Sequence, residues 1–352
     1  MAMRNWLAAA GAFAALCCLL GPGESAAQTP LFAEESELQL TIDGPIGDLV
    51  RTARRNTDPF PAAITAAGGP RLDMQLSARG FSRRTGGICN FPPLRIDLAG
   101  DGQRTGTIWQ GQNRLKLVTR CRASASYEQL TVLEYTAYRL FNVITPVSYR
   151  VRPVRVTYRD SGGRREETQF NFLIEDTDDV AARNGRTAID AQTNEVRSNQ
   201  LNGEQAALVG MFQFMIGNLD WDMTQGPAGE ECCHNGKLLA ASETSRENVL
   251  PVPYDFDFAG FVNAPYAVPP EGIPVQNVRQ RHYRGLCRFN DQARAAAELF
   301  RSRRDQLYAV IDGESRLPNG RRQAARAYIA TFFEILDNPQ RFERLVIENC
   351  RG

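Results

Sequence analysis

The chain has 352 residues, of which 43% are hydrophobic, and 41 Lys and Arg side chains balance 40 Asp and Glu side chains to a formal net charge of +1. This apolar content supports a folded core, and the length allows one large domain or two ordinary ones. Because charges of both signs are spread along the chain without a basic block, the composition argues against a nucleic-acid partner and against binding to an anionic membrane surface.

The first residues have the three parts of a secretory signal. Arg4 precedes an apolar run over residues 6–20, and helix-breaking residues 21–23 and the small residues 25–27 follow. The run is too short to span a bilayer. We therefore expect a signal peptide over residues 1–27, no transmembrane segment in the mature chain, and a periplasmic or extracellular protein. A retained N-terminal anchor is the alternative.

Cysteine content agrees with export. Loss of Cys17 and Cys18 with the signal would leave six of the eight cysteines, an even number, and we expect all six to be oxidised. The sequence does not select a pairing. A zinc site built from Cys232, Cys233 and His234 is an alternative, but three consecutive side chains diverge and do not readily surround a tetrahedral ion.

The middle of the chain predicts a sheet. Residues 28–71 contain Pro-, Ala- and Gly-rich tracts and little periodic pattern, so we expect a leader that straps over the fold. From Leu72 onward short strand-like runs appear, with one long helix over residues 127–143. These elements predict a mostly antiparallel sheet lobe over residues 72–200.

The second half predicts a helix-rich lobe over residues 201–352. Residues 204–216 are almost wholly apolar, which predicts a buried helix that ends at Gly217. Two long amphipathic helices are predicted over residues 291–311 and 321–336.

Oxygen-bearing side chains follow or enter three elements of this half. Asp220 follows the buried helix, Asn235 enters a short strand directly after His234, and Asp255 and Asp257 leave the next strand. Phosphoryl transfer needs such a set: one carboxylate orients the acceptor hydroxyl and takes its proton, and oxygen ligands hold Mg²⁺ on the nucleotide phosphates.

Two residues of the sheet lobe complete the predicted site. Strand alternation puts Lys116 on the face opposite Leu115 and Leu117, where it could bind phosphates; an exposed strand lysine is the alternative. Glu134 falls inside the apolar stripe of the 127–143 helix. A carboxylate directed inward needs a cation, and Lys116 is the expected partner.

The motifs resemble those of one family. Asn218-Leu219-Asp220-Trp221, His234-Asn235 and Pro253-Tyr254-Asp255-Phe256-Asp257, with the upstream Ala78-Arg79-Gly80-Phe81-Ser82 and Leu94-Arg95-Ile96, resemble the CotH-type secretory atypical kinases over residues 72–262. The resemblance implies an α+β, bilobal protein-kinase-like fold with an antiparallel-sheet N-terminal lobe and a mainly helical C-terminal lobe. It implies a catalytic Asp220, a phosphate-binding Lys116 with its partner Glu134, and metal ligands Asn235 and Asp255 beside Asp257. It also implies ATP, Mg²⁺ (or Mn²⁺) and a protein acceptor.

The expected function is therefore an exported, ATP-dependent phosphotransferase, with Asp222 as an alternative catalytic acid. The segment from Asp220 to Asn235 is longer than in ordinary kinases, and neither a kinase glycine-rich loop nor a Walker A motif is present. One alternative is a catalytically inactive binding or scaffolding protein of the cell envelope. Another is a hydrolase in which Asp220 and Asp255 flank a glycosidic bond.

Overall fold

The computed structural model describes residues 29–85, 87–163, 166–227 and 231–352. The signal peptide expected over residues 1–27 lies outside the described residues. The strands are β1 (Leu38–Gly44), β2 (Phe60–Ala66), β3 (Arg71–Ala78), β4 (Leu94–Leu98), β5 (Arg114–Val118), β6 (Val151–Asp160), β7 (Glu166–Ile174), β8 (Thr187–Ile189), β9 (Gly236–Ala240) and β10 (Leu250–Pro253). The helices are α1 (Ile46–Thr52), α2 (Ser82–Thr85), α3 (Ala125–Ile144), α4 (Thr177–Arg183), α5 (Gly203–Ile216), α6 (Asn290–Ser302), α7 (Arg304–Asp312), α8 (Asn319–Leu336) and α9 (Pro339–Phe342).

Seven strands close into a barrel in the order β1-β2-β3-β4-β5-β7-β6. Neighbouring strands run antiparallel except at the closure, where β1 pairs in parallel with β6 over Leu38–Gly44. Alternate side chains such as Leu40 and Ile42 fill the interior, which is a core of its own. Closure leaves no open sheet edge.

This barrel shows that the expected bilobal protein-kinase-like fold is wrong. The sequence predicts a mostly antiparallel sheet lobe over residues 72–200, whereas the sheet is a closed barrel in which β1 and β6 pair in parallel. The closing strand β1 and its neighbour β2 both lie within residues 28–71, which we had expected to form a strap. Gly68, with φ at 75°, lies in the tight turn between β2 and β3, so part of the glycine content belongs to a hairpin.

The helical part has a separate core around α3 and α5. Helix α3 packs against the barrel, where Tyr138 lies 5.6 Å from Phe172 between ring centroids. Helix α5 is buried on nearly all sides, and its Phe212 contacts Phe256 at 5.3 Å. The small sheet β10-β9-β8 lies beside α5. Among the described helices, none combines the length and the apolar content needed to cross a membrane.

The six cysteines form three pairs at disulfide distance: Cys89 with Cys121, Cys232 with Cys233, and Cys287 with Cys350. The two long-range pairs close loops with sequence separations of 32 and 63 residues. Such closures restrict the unfolded chain and are worth about 3 to 4 kcal/mol each. These pairs are compatible with a protein that folds in an oxidising compartment.

Peptide mapping of the protein, purified without reductant, should recover Cys89 linked to Cys121 and Cys287 linked to Cys350. The peptide that contains Cys232 and Cys233 should be lighter by the mass of two hydrogens, because both thiols are consumed within it. A sample reduced before alkylation is the control. Alkylation of any of these cysteines in the unreduced, denatured protein would contradict the pairing.

Candidate functional site

The site begins at the end of α5. Gly217 ends the helix with φ at 64°, a left-handed conformation that glycine adopts without strain. A side chain there would also collide with the Tyr328 hydroxyl. The chain then turns through Asn218, whose Oδ1 accepts a hydrogen bond from the Asp220 amide at 3.1 Å. This turn places Asp220 just outside the buried core.

Asp220 is held between two neighbouring residues of a second loop. His234 Nε2 lies 2.6 Å from Asp220 Oδ1, and Asn235 Nδ2 donates to Asp220 Oδ2 at 3.0 Å and to the Asp220 carbonyl at 2.7 Å. The side chains of His234 and Asp220 are 34% and 29% exposed, so this pair forms the open side of the site. The hydrogen bond to Asp220 raises the pKa of His234 above its usual value.

Asp255 and Asp257 lie next to this pair. The Tyr254 amide donates to the Asn235 carbonyl at 3.0 Å, and the Asp255 amide donates to the Tyr138 hydroxyl at 2.9 Å. Burial raises the pKa of Asp257 well above its usual value, and the charge of Asp255 adds to this effect. Asp257 is buried and Asp255 is half-buried, so two interacting carboxyl groups lie at the edge of the core.

Glu134 has a different partner from the expected Lys116. Its Oε2 lies 3.3 Å from Arg83 Nη1, and the same guanidinium lies 3.8 Å from Asp257. The Arg83 and Glu134 side chains are only 8% and 3% exposed. Burial raises the pKa of Glu134 to about 7, against the opposing effect of Arg83. The cation that an inward-facing Glu134 requires is thus an arginine from α2.

Lys116 occupies a separate, cationic side of the site. Its Nζ lies 4.5 Å from the centre of the Tyr254 ring, which directs it toward the end of β10. Burial, together with the charges of Arg79 and Lys237, lowers the pKa of Lys116 to about 7, while Asp255 acts in the opposite direction. Arg79, Lys116 and Lys237 thus place like charges together beside Asp255.

Asp222, the alternative catalytic acid, has a structural role. Its Oδ1 accepts hydrogen bonds from the backbone amides of Thr224 and Gln225 at 2.8 and 3.0 Å, and its Oδ2 pairs with Arg351. Although burial acts in the opposite direction, the Arg351 interaction and these amides lower the pKa of Asp222. Because its side chain is only 9% exposed and is paired with a cation, Asp222 is less accessible to a substrate hydroxyl than Asp220, which is 29% exposed.

The contacts of Cys232, Cys233 and His234 also argue against the alternative zinc site. Cys232 and Cys233 are paired with each other, and His234 Nε2 is bonded to Asp220. Within the described ranges, no group of three or more His, Cys, Asp and Glu side chains is arranged to hold a metal ion.

Asn235, Asp255 and Asp257 carry oxygen donors of the chemical type that a magnesium ion prefers. Mg²⁺ keeps several waters and is commonly held by one or two carboxylates plus substrate phosphates. Asp255 and Asp257 supply two carboxylates in contact, whose mutual repulsion a cation would relieve. Because Asn235 Nδ2 is bonded to Asp220, its Oδ1 is the end that can bind a cation.

Sequence reasoning missed several residues of the site. Arg79 and His234 lie within the motifs that were recognised, but Arg79 was assigned no role and His234 was considered only as a ligand of the alternative zinc site. Arg83 could have been sought as the cation required by Glu134. Tyr266, whose hydroxyl donates to Asp257 at 3.1 Å, gives no local signal, because the loop that carries it has no periodic pattern.

The structure therefore brings together all six predicted site residues, although not in the predicted pairs. Asp220 and Asn235 are hydrogen-bonded to each other. Glu134 and Asp257 both contact Arg83, and Asp255 interacts electrostatically with Asp257 and with Lys116. A comparison of the chain with protein-family models gives no match, and neither does a comparison with curated proteins.

Proposed function

We propose that this protein is a phosphotransferase that moves a phosphoryl group from ATP, bound with Mg²⁺ or Mn²⁺, to a hydroxyl group of a protein acceptor. We further propose that its resemblance to the CotH-type kinases concerns the chemistry of the site and not the fold, and that the protein acts after export. The proposal depends on one observation: Lys116, whose Nζ lies 4.5 Å from the ring centre of Tyr254, and the carboxyl group of Asp257 both interact with Asp255.

The cationic group (Arg79, Lys116 and Lys237) and the carboxylate pair (Asp255 and Asp257) each bring like charges together, which is electrostatically unfavourable. Arg79 and Lys237 disfavour the charged form of Lys116, and Asp255 disfavours the charged form of Asp257. A polyphosphate with a divalent cation carries both complementary charges, so it would relieve both groups at once. This charge arrangement supports a metal-nucleotide complex over a neutral sugar, which would relieve neither.

In the proposed reaction, the acceptor hydroxyl oxygen forms a bond to the terminal phosphorus as the bond to the bridging oxygen breaks, which releases ADP. Asp220, on the open side of the site, accepts the hydroxyl proton, and His234 and Asn235 hold its carboxylate in place. Arg79 and Lys116 stabilise charge on the phosphoryl oxygens. Bound Mg²⁺, with Asn235, Asp255 and Asp257 as its protein ligands, would neutralise phosphate charge.

Thermal unfolding of the wild type with ATP, with Mg²⁺ and with both tests this proposal. Ligand at about a hundred times its Kd stabilises the folded state by about 2.7 kcal/mol. We therefore expect the pair to raise Tm by about 3 to 6 °C, and either component alone to raise it less. No shift with the pair, at any saturating concentration, would reject the function.

Lys116→Met should increase stability near pH 6 while it removes the shift given by ATP and Mg²⁺. The folded pKa of Lys116 is lowered to about 7 from 10.5. Burial of the charged lysine therefore lowers the free energy of unfolding most below pH 7. This destabilisation decreases above pH 7 and disappears as the pH rises through the pKa of the unfolded chain. Urea unfolding should show the variant more stable than wild type at pH 6, with the difference shrinking by pH 9. A pH-independent difference would contradict a charged, buried lysine.

A further inference from the structure

A cavity of about 520 Å³ lies apart from the candidate site. Its wall is formed by the segment before β1, the C-terminal half of α3 with the loop that follows it, Arg183 of α4, and Arg303 between α6 and α7. The described residues that line it include none of the six predicted site residues. The volume lies within the range that small-molecule ligands occupy.

Among the described residues, four arginines line this cavity, and carboxylates neutralise two of them. Arg139 Nη2 lies 2.6 Å from Glu35 Oε1. Arg183 Nε lies 2.9 Å from Glu175 Oε1, and its terminal nitrogens also donate to two backbone carbonyls. The protein itself therefore orients and neutralises these two guanidinium groups.

The other two arginines of the cavity are Arg150 and Arg303, and neither forms an ion pair with a carboxylate of the described chain. Arg303 Nη1 donates to the neutral amide oxygen of Gln306 at 3.2 Å. Arg150 is half-buried. Burial and the charge of Arg183 lower the pKa of Arg150, while Glu175 acts in the opposite direction. The single carboxylate of Glu175 thus interacts with two guanidinium groups.

The acidic side chains that line the cavity do not offset these two charges. Glu35 is paired with Arg139, and Glu34 Oε2 lies 3.3 Å from Arg152 Nη2. Each of these acids is therefore already matched by an arginine. The positive charges of Arg150 and Arg303 remain in excess, and a cavity with an excess of one sign of charge favours a ligand of the opposite sign.

We propose that this cavity binds a small organic dianion, either a dicarboxylate or a phosphate monoester. Its anionic oxygens pair with the guanidinium groups of Arg150 and Arg303, whose planar donors suit carboxylate and phosphate oxygens alike. The carbon skeleton of the ligand lies against Phe32 and Val143, which are apolar residues of the wall. This binding site goes beyond phosphoryl transfer and does not depend on it.

Charge favours a dianion over a nucleoside triphosphate at this cavity. A triphosphate carries more negative charge than the two arginines in excess can balance. The side chains of Glu34 and Glu35, which line the same cavity, would repel the remaining charge. A compact dianion is therefore the ligand whose charge this cavity can match.

Isothermal titration at low ionic strength, with succinate and with glycerol phosphate as probes, tests the proposal. We expect at least one dianion to bind at least about tenfold more tightly than its neutral counterpart, succinamide or glycerol. Its affinity should fall with added sodium chloride. Arg150→Gln and Arg303→Gln should each weaken binding by at least about tenfold. Arg55→Gln, which removes an exposed arginine that does not line the cavity, should not.

The two probes distinguish the sources of the anionic group, because tighter binding of succinate supports a dicarboxylate and tighter binding of glycerol phosphate supports a phosphate monoester. Dianions that bind no better than their neutral counterparts, or wild-type affinity in either arginine variant, would overturn the proposal. Lys116→Met separates the cavity from the candidate site and should leave dianion binding unchanged. Binding that Lys116→Met abolishes would place the anion at the candidate site and would also overturn the proposal.

Discussion

Asp255→Asn should raise the Kd for ATP with Mg²⁺ by about a hundredfold or more, which corresponds to about 2.7 kcal/mol. The substitution removes the charge that interacts with both Lys116 and Asp257. The asparagine amide keeps an oxygen that can coordinate a metal, but it is neutral and does not offset the charge of a divalent cation. Asparagine also tolerates the left-handed φ of 65° at this position, so the backbone can stay in place. Isothermal titration with ATP, in the presence and absence of Mg²⁺, measures the effect.

Asp312→Asn is the matched control, because it removes one negative charge from an exposed side chain paired with Arg326 on the surface. It should bind ATP with Mg²⁺ as the wild type does. Without ligand, Asp255→Asn should be at least as stable as wild type, since the repulsion of Asp257 is relieved. Wild-type affinity in Asp255→Asn would reject Asp255 as the centre of the site.

Arg83→Met should lower the free energy of unfolding by about 3 to 5 kcal/mol at pH 8, because it leaves two buried carboxyl groups without their cation. Glu134 and Asp257 both contact Arg83, and their side chains are only 3% and 5% exposed. The Arg83 guanidinium also donates to the Thr119 carbonyl at 2.7 Å. Chemical denaturation of the purified variant measures the loss.

The loss should depend on pH in a defined direction. The folded pKa of Glu134 is raised to about 7, so the folded state holds its proton more tightly than the unfolded chain does. The stabilisation given by this bound proton is complete below the pKa of Glu134 in the unfolded chain. It is lost as the pH rises through the pKa of Glu134 in the folded state. Removal of Arg83 raises the folded pKa further, so the variant should be closer to wild type at pH 5 than at pH 8.

Two comparisons make this result specific. Arg294→Met breaks an exposed ion pair with Glu343, and its effect on the free energy of unfolding should be small. Glu134→Gln in the Arg83→Met background should recover part of the loss, because one uncompensated charge disappears. A cost for Arg83→Met no larger than that of Arg294→Met would contradict the buried ion-pair network.

Local sequence patterns were sufficient to predict individual helices. The wholly apolar stretch predicted over residues 204–216 is α5, Gly203–Ile216, and the stop at Gly217 is where the helix ends. The helix predicted over residues 127–143 is α3, Ala125–Ile144, and its Glu134 is buried. Helical and strand periodicities are local properties, so a single sequence carries them.

Barrel closure was not predictable in this way. Strands β1 and β6 pair in parallel although more than a hundred residues separate them along the chain, and no local pattern specifies that register. Strands β1 and β2 lie within residues 28–71, where the Pro-, Ala- and Gly-rich tracts led us to predict a leader without strands. The sequence therefore predicted the antiparallel sheet lobe of a kinase-like fold and not a barrel.

By itself, the sequence determined which residue types are available to the site: acids and an asparagine at the ends of apolar elements, and a carboxylate facing inward on α3. Only the tertiary structure decided their partners. Arg83, and not Lys116, forms the ion pair with Glu134, and Arg351 forms an ion pair with Asp222. Cys89 pairs with Cys121 and Cys287 with Cys350 because segments that are distant in sequence pack together. Burial makes a charge require a partner, but the packing of the whole chain selects which one.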